Sequence, residues 1–98
     1  MTAATAPSIA VADGTLRFVG PLRREAVAAL RTRLPASLAD IHRIDLTGAD
    51  SIDSAGLALV SLAAARCAAD VAIDGRPAGF DELRAAYRLG HDLGFVRD

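Results

Sequence analysis

The feature that most constrains this chain is a junction near its middle. His42-Arg43-Ile44-Asp45-Leu46-Thr47 alternates as a strand does, and after a short loop Ile52-Asp53-Ser54-Ala55-Gly56-Leu57-Ala58-Leu59-Val60 opens a helix. Ser54 stands where a side-chain oxygen can cap the first free backbone N–H groups, so it is the expected N-cap. The helix that follows is apolar on almost every side. Leu57, Val60 and Ala64 form one stripe and Leu59, Leu62 and Ala63 another, with only Ser61 and Arg66 interrupting before Cys67. A surface helix normally has one apolar stripe and one polar face. One stripe can lie on a sheet. The other is covered by neighbouring helices, or it meets another protein.

The chain has 98 residues, enough for one domain with a real core and little stability to spare. It is rich in Ala and poor in aromatics, which favours closely packed helices against a sheet over a disordered chain. The net charge is −1 and the Arg residues are scattered, so no basic stripe marks a nucleic-acid surface. Cys67 is the only cysteine; it has no partner for an internal disulfide and no metal-ligand spacing around it, and it reads as a small buried apolar residue. Met1 to Pro7 is small and polar, without the pattern of a secretory signal, and is expected to be a disordered tail ahead of a single domain over residues 8–98. Leu62-Ala63-Ala64-Ala65 is far too short to cross a bilayer. These features predict a cytoplasmic protein without direct membrane insertion.

The order of elements predicts the fold class. Ile9 and Val11 alternate in a first strand, Asp13-Gly14 signals a hairpin turn, and Leu16 and Phe18 alternate in a second strand. Gly20-Pro21 ends it, and a helix is expected from Pro21 to about Leu34, stopped by Pro35. Ile44 and Leu46 mark a third strand, with Ile52 continuing toward the sheet. The second helix is expected from Ser54 to about Ala68, a fourth strand at Val71 to Ile73, and a third helix from about Ala78 to Leu89. Gly90 would stop that helix, and Leu93 and Phe95 would fold back as a tail. The order ββαβαβα predicts an α/β fold: a mixed sheet of about four strands with helices mainly on one face.

Sites of chemistry are hard to build from these residues. Asp45, Asp50 and Asp53 crowd one region but lack the alternating ligands and distal Glu of a calcium loop. Asp50 is expected to stabilise the turn and Asp53 the helix start. Ser54 lies in Asp-Ser-Ala-Gly, not the strained Gly-x-Ser-x-Gly elbow of hydrolases, and neither His42 nor His91 has a predictable relation to it. No phosphate-binding Gly-Lys-Ser/Thr loop is present. The residues therefore predict no enzyme, no cofactor and no metal. A phosphate on Ser54 would sit well at a helix N-terminus, opposed by the neighbouring Asp53.

The run Ile44-Asp45-Leu46-Thr47-Gly48, a short gap, then Ile52-Asp53-Ser54-Ala55-Gly56-Leu57 resembles the core signature of STAS domains, the anti-sigma factor antagonist domains also found in sulfate transporters. The resemblance covers the chain from about Ile9 to Phe95. Within that family the run Asp53-Ser54-Ala55-Gly56-Leu57-Ala58-Leu59 is most similar to the MlaB-like branch, whose members are small cytosolic subunits of a phospholipid ABC transporter that maintains outer-membrane lipid asymmetry. The resemblance implies a non-enzymatic accessory subunit that binds an MlaF-like ATPase, and through it the membrane permease, at the periphery of the inner membrane. The implied contact surface is Asp53, Ser54, Ala55, Gly56, Leu57, Ala58 and Ser61, with Ala55 and Gly56 small enough for close approach. The alternative it implies is an anti-sigma factor antagonist switched by phosphorylation of Ser54. Ala55 stands where such antagonists usually carry Ser or Thr.

Overall fold

The computed structural model describes residues 7–68 and 71–87. Two strands, β1 (Ser8–Ala12) and β2 (Thr15–Val19), form a hairpin closed by Asp13 and Gly14. Both turn residues have positive φ, 50° and 74°, as the two-residue turn that matches strand twist requires. Helix α1 (Arg24–Arg33) leads to β3 (Arg43–Gly48), α2 (Ser54–Arg66) to β4 (Ala72–Asp74), and α3 (Phe80–Ala86) follows. The strands lie in the order β1-β2-β3-β4, antiparallel for the first pair and parallel for the other two. Parallel neighbours need crossovers, and α1 and α2 supply them.

Alternation along the strands divides the sheet into two faces. Leu16, Phe18, Ile44 and Leu46 point to the helices and are fully buried. They join Leu22, Leu30, Leu57, Val60, Ala63 and Phe80 in one core. The opposite face is polar. Arg17 and Asp45, cross-strand neighbours, pair at 3.0 Å, and Arg43 pairs with Asp74. The mixed sheet with one helix-covered face is the α/β fold expected from ββαβαβα.

The element bounds differ from expectation in instructive places. α1 begins at Arg24 and not at Pro21, because Leu22 stays extended: its N–H donates to the Ser51 carbonyl and it bridges Ile52 as a parallel strand residue would. α2 ends at Arg66, with Cys67 extended. Cys67 lies half-buried against the core, where burial pushes its thiol pKa up and keeps it unreactive. α3 is described to Tyr87; the rest of its expected span, the Gly90 stop, the Leu93 and Phe95 tail and most of the Met1 to Pro7 tail lie outside the described residues.

Candidate functional site

Because β2, β3 and β4 run parallel, the helices that follow them all begin at the same end of the sheet. The segment Ser51–Asp53 runs between the other two helix starts and is pinned on both sides. Asp53 N–H donates to the Leu22 carbonyl at 3.2 Å, and Ile52 N–H donates to the Ala78 carbonyl at 3.0 Å. Gly79, just before α3, has φ 93°, and a Cβ there would stand 2.7 Å from the Ile52 carbonyl oxygen. The loop that delivers Ser54 is therefore held by backbone contacts from both neighbours.

Asp53 does the capping that the sequence assigned to Ser54. One carboxylate oxygen accepts from Gly56 N–H at 2.9 Å, so Asp53 is the N-cap of α2. Its other oxygen accepts from Arg24 N–H at 2.8 Å, in the first turn of α1. Arg23, the N-cap residue of α1, has no side-chain cap of its own. A single carboxylate thus satisfies donors at two helix N-termini, where the helix dipoles also favour negative charge. Partial burial raises its pKa. The N–H groups of Gly56 and Arg24 and the charge of Arg23 outweigh this and hold it below the ordinary carboxylate value.

With the cap supplied by Asp53, Ser54 becomes the first residue of α2 and is exposed. The expected contact residues then divide. Gly56 and Leu57 are interior, Leu57 only 2 % exposed. Gly56 is small for an internal reason: a Cβ would fall 1.9 Å from the Leu22 carbonyl oxygen. Close approach at Gly56 is made to the start of α1. Leu57 packs in the core. Ala58 is exposed, and Asp53, Ala55 and Ser61 are half-buried.

Most of the apolar surplus on α2 is covered from within. Gly56, Leu57, Leu59, Val60, Ala63 and Ala64 are buried, and α2 touches both α1 and α3. What remains at the surface, beside the half-buried Ala55, is one stripe at helical spacing, Ser54, Ala58, Ser61, Leu62 and Ala65, which ends at the exposed Arg66. It is narrow, small-featured and nearly uncharged. The other two acids of the region are placed differently. Asp45, on the open sheet face, accepts from Thr47 N–H and Oγ1 and pairs with Arg17, contacts that lower its pKa against the opposing effect of burial. Asp50 is exposed in the turn, where its carbonyl is approached by Ala78 N–H at 3.4 Å. Cavities of about 220 Å³ beside Asp13 and Arg17 and about 380 Å³ beside Pro7 and Ala29 lie away from this stripe. Neither of these cavities opens on Ser54.

A hairpin followed by parallel strands, each leading into a helix, with an Asp-Ser-x-Gly-Leu junction at the sheet's C-terminal end, defines a STAS-type domain. The comparison with known families agrees: the profile described as "Mlab, STAS domain" matches residues 5–97, and the chain belongs to that family. No curated protein matches the chain. STAS domains are generally non-enzymatic. No described helix is long and apolar enough to cross a membrane.

Proposed function

We infer that this protein is a non-enzymatic accessory subunit of a phospholipid ABC transporter, docking on the cytosolic ATPase through the α2 stripe. One observation carries the placement: Ser54, Ala58 and Ser61 lie on one face of a helix whose N-terminal loop is fixed from both sides. Small side chains let a partner's backbone come close, and a fixed loop costs little ordering entropy on binding. Membership of the MlaB-type STAS family supports an ATPase as the partner. The mechanism is conformational support. A subunit that binds one state of the ATPase better shifts the ATPase toward it, by no more than the difference in affinity.

The test is binding of purified ATPase to Ser54→Glu and Ala58→Arg variants, with unfolding measured beside it. Both should bind at least about tenfold more weakly, as expected when a charge is buried at an interface without a partner, and unfold as the wild type does. Wild-type binding by both variants would sink this placement.

A second reading is favoured by one specific feature. The exposed Ser54 hydroxyl sits at a helix N-terminus with the Arg23 charge close to the neighbouring Asp53. That environment tolerates a phosphate, so the protein would be an anti-sigma factor antagonist released from its kinase by phosphorylation. Mass spectrometry after incubation with a cognate kinase and ATP separates the readings, since only this one requires phosphate on Ser54.

A further inference from the structure

The strand β1 has a neighbour on one side only among the described strands. Along the edge that no described strand pairs with, Ser8-Ile9-Ala10-Val11-Ala12 itself has no charge, no proline and no bulge, and it pairs with β2 in an unbroken register. Val11 is 48 % exposed, one of two large apolar side chains at the surface among the described residues.

Backbone directions along this edge follow from hydrogen bonds on the far side of β2. Gly14 accepts from His42 N–H and Gly20 N–H donates to Gly48, so the even-numbered residues of β2 face β3. The odd residues, Thr15, Arg17 and Val19, face β1 and exchange hydrogen bonds with Ala12, Ala10 and Ser8. Ile9 and Val11 therefore direct their N–H and C=O groups outward. Pro7, next in that outward series, has no N–H, which ends the edge there.

This pattern is complementary to itself. We propose that two copies of the chain pair antiparallel through β1 about a two-fold axis at Ala10, joining their sheets into one. In this register Ile9 of each copy exchanges both backbone hydrogen bonds with Val11 of the other, and Ala10 faces Ala10 as the non-hydrogen-bonded pair. On the helix side, the rows Phe18–Ile9 and Leu16–Val11 meet end to end, and the exposed Val11 is covered by Ile9 of the second copy. On the open side the nearest like charges are the two Arg17 side chains. They stand three strand spacings apart, about 14 Å, and each is already paired with its own Asp45. The interface lies on the opposite side of β2 from the β3–α2 junction and involves no residue of the α2 stripe, so it stands independently of the docking proposal.

The register gives the test. Ala10 is exposed, so Ala10→Lys or Ala10→Glu should leave the monomer folded while placing like charges directly opposite each other across the axis. Sedimentation velocity of the full chain from micromolar to millimolar concentration should show a reversible dimer. Each variant should weaken it by about tenfold or more, and an equimolar mixture of the two should restore it. Independently, Ala10→Cys in a Cys67→Ala background should give a disulfide-linked dimer under mild oxidation, because a non-hydrogen-bonded pair has the Cα separation a disulfide accepts. A chain that stays monomeric throughout, or a dimer indifferent to both charges, would overturn the proposal.

Discussion

Removing the Asp53 carboxylate should cost this domain more than any other single surface-reachable side chain. Asp53 accepts from Gly56 N–H at 2.9 Å and from Arg24 N–H at 2.8 Å, so Asp53→Ala strips the caps of α2 and α1 together. An N-cap side chain contributes about 1 kcal/mol, and somewhat more when it is charged and partly shielded. Two donors place the expected loss at about 2–3 kcal/mol, a large fraction of the roughly 5–15 kcal/mol that holds a small domain folded. At this chain length that lowers the unfolding midpoint by roughly 10–20 °C. Asp53→Asn separates the two caps. Its amide oxygen can still accept from Gly56, while its NH₂ group cannot accept from Arg24, so about half the loss, near 1–1.5 kcal/mol, should return. The assay is urea unfolding of the isolated chain followed by circular dichroism, free of any partner that would mask the change. A loss below about 1 kcal/mol for Asp53→Ala, or an Asn variant no better than Ala, would refute the double cap.

Three further outcomes follow from the same geometry. Gly56→Ala, which helix propensity alone would favour by nearly 1 kcal/mol, should instead destabilise by about 3 kcal/mol in the same urea assay, because its Cβ meets the Leu22 carbonyl at 1.9 Å. Asp53 and Asp45 have folded pKa values below the ordinary aspartate value, so their stabilisation is present above that value and is lost as pH falls through the lower folded values; unfolding measured from pH 5 downward should show this loss, and Asp53→Asn should flatten it. Arg43→Ala breaks an exposed pair with Asp74 and should change stability by less than about 0.5 kcal/mol, within the error of thermal unfolding.

What the sequence makes legible here is what local pattern determines. The Asp13-Gly14 turn, the alternation of Leu16 with Phe18 and of Ile44 with Leu46, and the Asp-Ser-x-Gly-Leu junction each carry their meaning within a few residues, and each has its place in the structure. The differences arise where a distant segment decides. Asp53 and Ser54 are both good caps by composition. Asp53 takes the position because its second oxygen finds Arg24, 29 residues earlier in the chain. The same approach of the two segments keeps Leu22 extended, which delays α1 by three residues relative to Pro21 and requires a glycine at position 56. The nearly all-round apolar character of α2 is compatible with cover by neighbouring helices or by a partner. Most of it is the consequence of a helix flanked by α1 and α3, and only the Ser54-to-Ala65 stripe is left. The signal that could have found the double cap is Arg23-Arg24, two basic residues at a helix start that has no acidic or hydroxyl cap of its own.

The reassignment of the cap changes what Ser54 is free to do. Were Ser54 the N-cap, its hydroxyl would be bound to the first turn, and any change to it, by mutation or by phosphate, would weaken the helix it begins. With Asp53 in that role, the Ser54 side chain is exposed and is not the cap. The two adjacent side chains then face different ways: the carboxylate turns inward to two helix starts, and the hydroxyl is exposed. A charge added at Ser54 therefore acts on whatever covers the α2 stripe before it acts on the domain. Under both functional readings this is the property a partner-facing residue needs. It also makes stability measured beside binding the informative comparison, because a Ser54 variant that unfolds early would place the hydroxyl back in the cap, and one that only loses its partner would not.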